Sequence, residues 1–174
     1  MNAFIKKIML IFSNLLRRRK MIVGYDVTDR AGTATGGVTK ICQGGAVCSA
    51  DGIITSVEVW AQADMTGLII GMFKKVGSQY AASSTQTINI GNVAAGKQTF
   101  NGLNLKCFAG DYLGYYFNND TGRIENNVPG SGGSVVNITP GGNLCGDTTP
   151  YTYVGGSSIQ SIGAFGISGM VMPF

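Results

Sequence analysis

The chain is predicted to be all-β: an antiparallel β-sandwich or jelly roll preceded by one short N-terminal amphipathic helix. Three observations predict it. From Met21 onward, apolar runs of strand length alternate with clusters of Gly, Asn, Asp, Ser and Thr, the cadence of short strands separated by turns. Glycine numbers 27 in 174 residues while charged residues make up only 13%, a pairing typical of turn-dense β-proteins. No helix-length periodicity and no βαβ alternation follows residue 20, which excludes a parallel sheet wound with helices. The length is that of one domain, so the expected organisation is an anchor helix over residues 1–20 and a sandwich over residues 21–174.

The leader MNAFIKKIMLIFSNLLRRRK contains no acid, no Gly and no Pro. Ile5, Ile8, Phe12 and Leu15 fall at a, d, a, d of two heptads, with Phe4, Ile11 and Leu16 beside them, which is an amphipathic helix with a broad apolar face. Its cations set it apart electrically: residues 1–20 carry +6, and the remaining seven cations and nine carboxylates leave the body at −2. A nucleic-acid-binding body carries its own basic face, so no nucleic acid is expected as partner. The apolar run is broken by Ser13-Asn14 and ends in RRRK, unlike a cleaved secretory signal. The stretch from Ile8 to Leu16 is less than half of the roughly 20 residues a membrane span needs. Docking on a protein or on sister subunits through Ile5, Ile8, Phe12 and Leu15 leads the readings. Arg17, Arg18, Arg19 and Lys20 would then meet an acidic partner or lipid headgroups. A helix lying on an anionic membrane is the second reading, and initiation at Met21 is the third. Ile at both a and d favours trimers or tetramers over dimers; Ile5 and Ile8 follow that rule, Phe12 and Leu15 do not, and a homo-trimer is the expected assembly.

The body reads as a series of strands. IVGYDV (22–27) is followed by IITSVEVWAQ (53–62), whose alternation places Ile53, Thr55, Val57, Val59 and Ala61 on one face and Glu58 and Trp60 on the other. LIIGMFKK (68–75), TINIGNV (87–93), QTFNGLNLK (98–106), YLGYYF (112–117), GRIE (122–125), SVVNI (134–138), YTYV (151–154) and IGAFGISGMVM (162–172) complete the set. AD (63–64), VGS (76–78), AAGK (94–97) and AGD (109–111) supply turns between them, and NNDTG (118–122) reads as a tight hairpin. PGSGGS (129–134) and PGGNLCG (140–146) read as the mobile surface loops.

Histidine is absent, which excludes Ser-His-Asp and Cys-His catalysis and His-ligated zinc. Asp120-Thr121-Gly122 matches the aspartic-protease triplet, but that chemistry needs two aspartates sharing a proton, and polar flanks make these letters a turn. GSGGS lacks the lysine and helix of a phosphate loop. The remaining carboxylates stand singly in turns. No enzyme, no cofactor and no metal are expected.

Two groups keep a functional reading beside a structural one. Trp60 and the tyrosines Tyr80, Tyr112, Tyr115, Tyr116, Tyr151 and Tyr153 either fill a two-sheet core or stack on a sugar, with Trp60, Tyr115 and Tyr116 the candidates for stacking. Adjacent Tyr115 and Tyr116 cannot both point inward from a strand. The cysteines Cys42, Cys48, Cys107 and Cys145 lack the close pairs of a tetrathiolate zinc site. Disulfides Cys42–Cys48 and Cys107–Cys145 compete evenly with buried free thiols.

The runs TSVEVWAQADMTGLIIGMFKK (55–75) and GNVAAGKQTFNGLNLKCFAGDYLGYYF (91–117) carry a cadence of V-E-[VL]-W-A, G-x-F, G-x-x-x-T-F-x-G-L and G-D-Y-[IL]-G. In this the chain resembles small β-sandwich domains in uncharacterised proteins of bacteriophages and environmental viral sequences, over roughly residues 22–126. The resemblance implies a decoration, spike or fibre-head module on a virion surface, assembled with itself and with other virion proteins; it supplies no active site and does not extend to the leader. The expectation is a non-enzymatic virion structural protein, with a carbohydrate-binding or receptor-binding module, directed at a host glycan, as the alternative.

Overall fold

The computed structural model describes residues 4–7, 19–118, 121–127, 135–156 and 158–168. Within them the chain is almost entirely β, and a helical turn at residues 4–7 is the described part of the predicted leader helix. Thirteen strands follow: β1 (Arg19–Gly24), β2 (Gly32–Thr35), β3 (Lys40–Ile41), β4 (Gly52–Ala63), β5 (Met65–Val76), β6 (Gln79–Ala82), β7 (Ile88–Val93), β8 (Gly96–Cys107), β9 (Tyr112–Tyr116), β10 (Arg123–Asn126), β11 (Val136–Ile138), β12 (Tyr153–Gly155) and β13 (Ile162–Ser168). They form two antiparallel sheets. The first runs β1-β13-β4-β10-β2 with β8 also on β4, and the second runs β12-β11-β3-β9-β5-β6 with β7 also on β5.

The main core lies between the sheets. Met21, Val23, Ile54, Val57 and Val59 of the first sheet meet Leu68, Ile70, Met72, Leu113 and Tyr115 of the second. Each such side chain, taken fully out of water, contributes about 1.5–3 kcal/mol before entropy is subtracted. A second cluster lies apart from the first: Ile41, Phe73, Tyr80, Ala82, Val136 and Ile138, with Tyr112, Leu144, Cys145, Tyr151 and Tyr153 packed on it. The second sheet curls to enclose it. Tyr80 on β6 exchanges both backbone bonds with Tyr151, at 3.0 and 2.8 Å, so the chain leading into β12 reaches the opposite edge of its own sheet.

The sequence pattern needs three corrections. The face of β4 changes part-way, because a bulge lies between Ile54 and Ser56 in its pairing with β8. Val57, Val59 and Ala61 point inward as alternation requires, but Ile54, not Ile53, joins the core; one extra residue reverses the parity of everything before it. NNDTG does not join a hairpin, since β9 pairs with β3 and β5 while β10 pairs with β2 and β4; Asn119 and Asp120 themselves lie outside the described residues. Turn residues reverse a chain whether or not the next strand pairs back. By contrast VGS does form a two-residue hairpin: Val76 faces Gln79, and Gly77 takes φ +60°, which a tight hairpin asks of its first loop residue. Third, part of PGGNLCG is a lid on the second cluster rather than a free loop, since Leu144 and Cys145 pack there. PGSGGS falls outside the described residues apart from its surroundings, as do residues 169–172 of the last apolar run.

Candidate functional site

The first strand, β1, begins at Arg19. Among the described strands β1 lies at the sheet edge beside β13, from Arg19 opposite Ser168 to Gly24 opposite Gly163, and its last residue, Gly24, is also bridged to Ala46. Arg19 and Lys20, read from sequence as the end of the anchor, are therefore sheet residues. Lys20 places its ammonium 5.5 Å from the centre of the Phe165 ring, a cation–π contact. Ile22 beside it is 49% exposed, and Phe165, Ile167 and Ile53 lie half-buried on the same outer face. Ile5 sits in the helical turn and is 48% exposed. Ile8, Phe12, Leu15, Arg17 and Arg18 lie outside the described residues.

The aromatic candidates do not form one platform. Trp60 is half-buried on the outer face of the first sheet, opposite Lys97 on β8, and Lys97 is ion-paired at 2.9 Å with Glu58, two residues along the same face. Tyr115 is fully buried in the main core, its ring stacked 6.3 Å from that of Phe117; it is not available for stacking on a sugar. Alternation turns Tyr116 to the other side of the second sheet, where its hydroxyl donates to Asn118 Oδ1 at 3.4 Å. Trp60 and Tyr116 thus belong to different sheets.

A different tyrosine group is assembled instead. Tyr80 is buried and meets the rings of Tyr112 and Tyr153 edge-on, at 5.5 and 5.3 Å. Its hydroxyl lacks a partner in hydrogen-bond geometry, and burial, with the nearby Tyr112 and Tyr153 hydroxyls, pushes its pKa up to about 12. Tyr112, Tyr151 and Tyr153 are half-buried around it. Tyr151 donates its hydroxyl to Asp147 Oδ2 at 2.8 Å, and Asp147 Oδ1 accepts the Thr149 N–H at 2.9 Å. Those two bonds, the backbone one foremost, hold the Asp147 carboxyl below its ordinary range. The arrangement sets half-buried tyrosine rings beside a fixed carboxylate, an apolar face next to a hydrogen-bond acceptor.

No family model, curated protein or solved structure matches the chain. What it does must be read from these residues.

The thiols are all free. Cys42, Cys48 and Cys107 lie in the main core, while Cys145 packs on the second cluster across the second sheet. The predicted Cys107–Cys145 bridge is thereby excluded by the sheet between them. Cys48 is not bridged to Cys42, and its thiol and that of Cys107 perturb each other's pKa, raising Cys48 and lowering Cys107.

Three buried ionisable groups were invisible in the sequence. Lys40 is 5% exposed and donates to Asn137 Oδ1 at 3.2 Å; burial lowers its pKa to about 8. Asp111 accepts from the Ser83 hydroxyl at 2.6 Å and the Phe108 N–H at 2.9 Å, and burial raises its pKa against those bonds. Glu125 accepts the Arg30 N–H and is likewise raised by burial. Arg30 ties this corner together, donating to Ser161 Oγ at 2.8 Å, Asn127 Oδ1 at 3.2 Å and the Asp26 carbonyl at 2.8 Å. Among the described residues no group of three or more Cys, Asp and Glu side chains is placed to hold a metal ion. No signal in the sequence separates these buried ions from the exposed ones around them.

Proposed function

We propose that this chain is a non-enzymatic structural protein of a virion, a decoration, spike or fibre module that attaches through its leader and turns its sandwich outward. The observation that carries the reading is the junction at Arg19. A segment of charge +6 with an apolar stripe feeds directly into an edge strand of a weakly charged two-core β-body. An attachment made there leaves the second sheet, its tyrosines and its loops free to face solvent. The resemblance to phage-type sandwich domains supports the same setting. The leader's two heptads are too short to hold a helical bundle alone, so the bodies supply the rest of a homo-trimeric interface, or the leaders insert into a neighbouring virion protein.

Light scattering after size exclusion tests this on residues 1–174 and 19–174. The full chain is expected as a trimer and the shortened one as a monomer of unchanged β-type circular dichroism. A monomeric full chain that instead partitions onto anionic vesicles would replace protein attachment with a membrane anchor. Antibody raised against residues 19–174 should label intact particles of the virus that encodes the chain, and particles lacking the protein would refute the virion role.

A carbohydrate-binding or receptor-binding function is the second reading, and the Tyr112–Tyr151–Tyr153 surface with Asp147 favours it. A glycan array decides: binding that is lost in Tyr153→Ala or Asp147→Asn but kept in Trp60→Ala places a sugar at the tyrosines, the converse places it at Trp60, and no glycan bound by the intact protein removes this reading.

A further inference from the structure

We propose that Cys48 and Cys107 are the partners of an intramolecular disulfide that closes as the chain folds in the presence of a small-molecule disulfide. The backbone brings the two residues together from opposite ends of β4 and β8. Gly52, at the start of β4, lies opposite Cys107, at the end of β8. Just upstream, the Cys48 N–H donates to the Asp111 carbonyl and the Cys48 carbonyl accepts from the Gly110 N–H, both at 2.8 Å. The β8–β9 turn, residues 108–111, therefore clamps Cys48 against the strand that ends in Cys107. Both residues are 1% exposed and belong to the same core cluster, and the two thiols are near enough to push the Cys48 pKa up and the Cys107 pKa down. The Cys107 sulfur also lies 4.0 Å from the Met21 sulfur, which fixes its direction toward the first strand of the core.

The other two cysteines are differently placed. Cys145 has its sulfur 3.8 Å from the Ile69 carbonyl, on the far side of the second sheet from Cys107. Cys42 is buried beside the Tyr115 ring, and burial pushes its thiol up. Neither is held against a second thiol by the backbone.

The reaction balances with oxidised glutathione as the oxidant. The exchange balances whichever thiolate attacks first; taking Cys107 first, its thiolate is the attacking group. It displaces one glutathione thiolate and forms a mixed disulfide. Cys48 then gives up its proton, attacks the Cys107 sulfur and expels the second glutathione. The protein loses two hydrogens and two electrons in net, and two molecules of reduced glutathione carry them. Because the finished core excludes both sulfurs from solvent, the exchange belongs to the interval before the core closes. The product links the entry to β4 with the exit from β8 and encloses β4 through β8 in one loop, which restricts the unfolded chain.

The experiment uses the full chain, reduced, unfolded in guanidinium and refolded in a mixture of reduced and oxidised glutathione. Remaining thiols are alkylated, and the digest is read by mass spectrometry. The expected product has lost two hydrogens, yields a Cys48–Cys107 linked peptide, carries alkyl groups on Cys42 and Cys145, and melts about 5–10 °C above its reduced form. The double variant Cys42→Ala, Cys145→Ala should give the same link, a result that does not depend on whether Cys48→Ala or Cys107→Ala can fold. Refolded protein with four alkylated cysteines, or a link between any other pair, would overturn the assignment.

Discussion

Gly114 shows how a single position without a side chain can shape this molecule. It lies in the middle of β9, and a Cβ built there would come within 2.2 Å of the Phe73 ring. Phe73 is itself 2% exposed, so the ring has nowhere to retreat. Gly114→Ala is expected to cost about 1–3 kcal/mol, the usual range for overpacking, measured as a lower urea midpoint with an unchanged slope. Phe73→Leu in the same chain should recover part of that loss. Lys40 makes a second case at this scale, through protonation. A lysine whose folded pKa is lowered to about 8 from 10.5 leaves the unfolded chain the stronger proton binder between those values, so its penalty on folding is full below pH 8 and fades as the pH rises toward 10.5. Cys145 acts in the opposite sense: its thiol is raised from 9.0 to about 12, and the stability tied to its neutral form is lost as the pH rises through that window. Comparing Lys40→Met with the parent separates the two. The variant should be more stable at pH 7 by on the order of 2 kcal/mol, and its advantage should shrink steadily toward pH 10.5. A constant difference across that range would mean that the Lys40 charge is not penalised by burial. Neither residue announces itself in the sequence, because burial of one glycine or one lysine depends on strands far away in the chain.

Strands announce themselves better than their partners do. Every long apolar run from VEVWAQ to IGAFGIS became a strand or part of one, since period-two burial is written locally. The short strands β2 (GTAT), β3 (KI) and β6 (QYAA) contain no apolar run of strand length, whereas the equally short β10, β11 and β12 overlap GRIE, SVVNI and YTYV. Pairing was less legible still, as β9 and β10, consecutive yet on different sheets, illustrate. The bulge in β4 was hidden because the same letters permit either parity until β8 and β13 fix the register. Among the site residues, Trp60 facing out was readable from its alternation with Val59, and so was the need for Tyr115 and Tyr116 to part. Which of the two went inward, and that Tyr80, Tyr112 and Tyr153 would meet, came only from the curl of the second sheet. β1 supplies a test at this scale. Arg19 and Lys20 pair with Ser168 and Ile167, and Lys20 covers Phe165. A chain beginning at Met21 should therefore be less stable than one beginning at Arg19 by about 1–3 kcal/mol, seen in parallel urea titrations. Equal stabilities would mean that the strand in effect starts at Met21.

At the scale of the whole molecule, the described residues form two apolar clusters with one sheet common to both. β5 sends Met72 into the main core and its neighbour Phe73 into the second cluster, so neither cluster can be dismantled while the other keeps its wall. Unfolding should be a single cooperative event. The chain offers a clean pair of reporters: its one tryptophan, Trp60, is on the first sheet, and the Tyr80–Tyr112–Tyr153 group reports the second cluster through near-ultraviolet circular dichroism. Tryptophan fluorescence and the tyrosine signal should trace coincident urea transitions. Separated midpoints would show that the second cluster opens on its own.

The position of β13 governs the order in which the molecule can be made. Although it is the last described strand, it lies inside the first sheet, between β1 and β4. On the ribosome, β1 emerges early and, apart from the bridge of Gly24 to Ala46, has no strand beside it until Ile162–Ser168 leaves the exit tunnel, and β4 meanwhile keeps one bare edge. During that interval the nascent sheet has a vacant slot bordered by two strands, wide enough for one more. The matching β13 of another nascent chain on the same messenger fits that slot as well as its own does. Synthesis from closely spaced ribosomes should accordingly favour strand-exchanged pairs, and dilute refolding of finished chains should not.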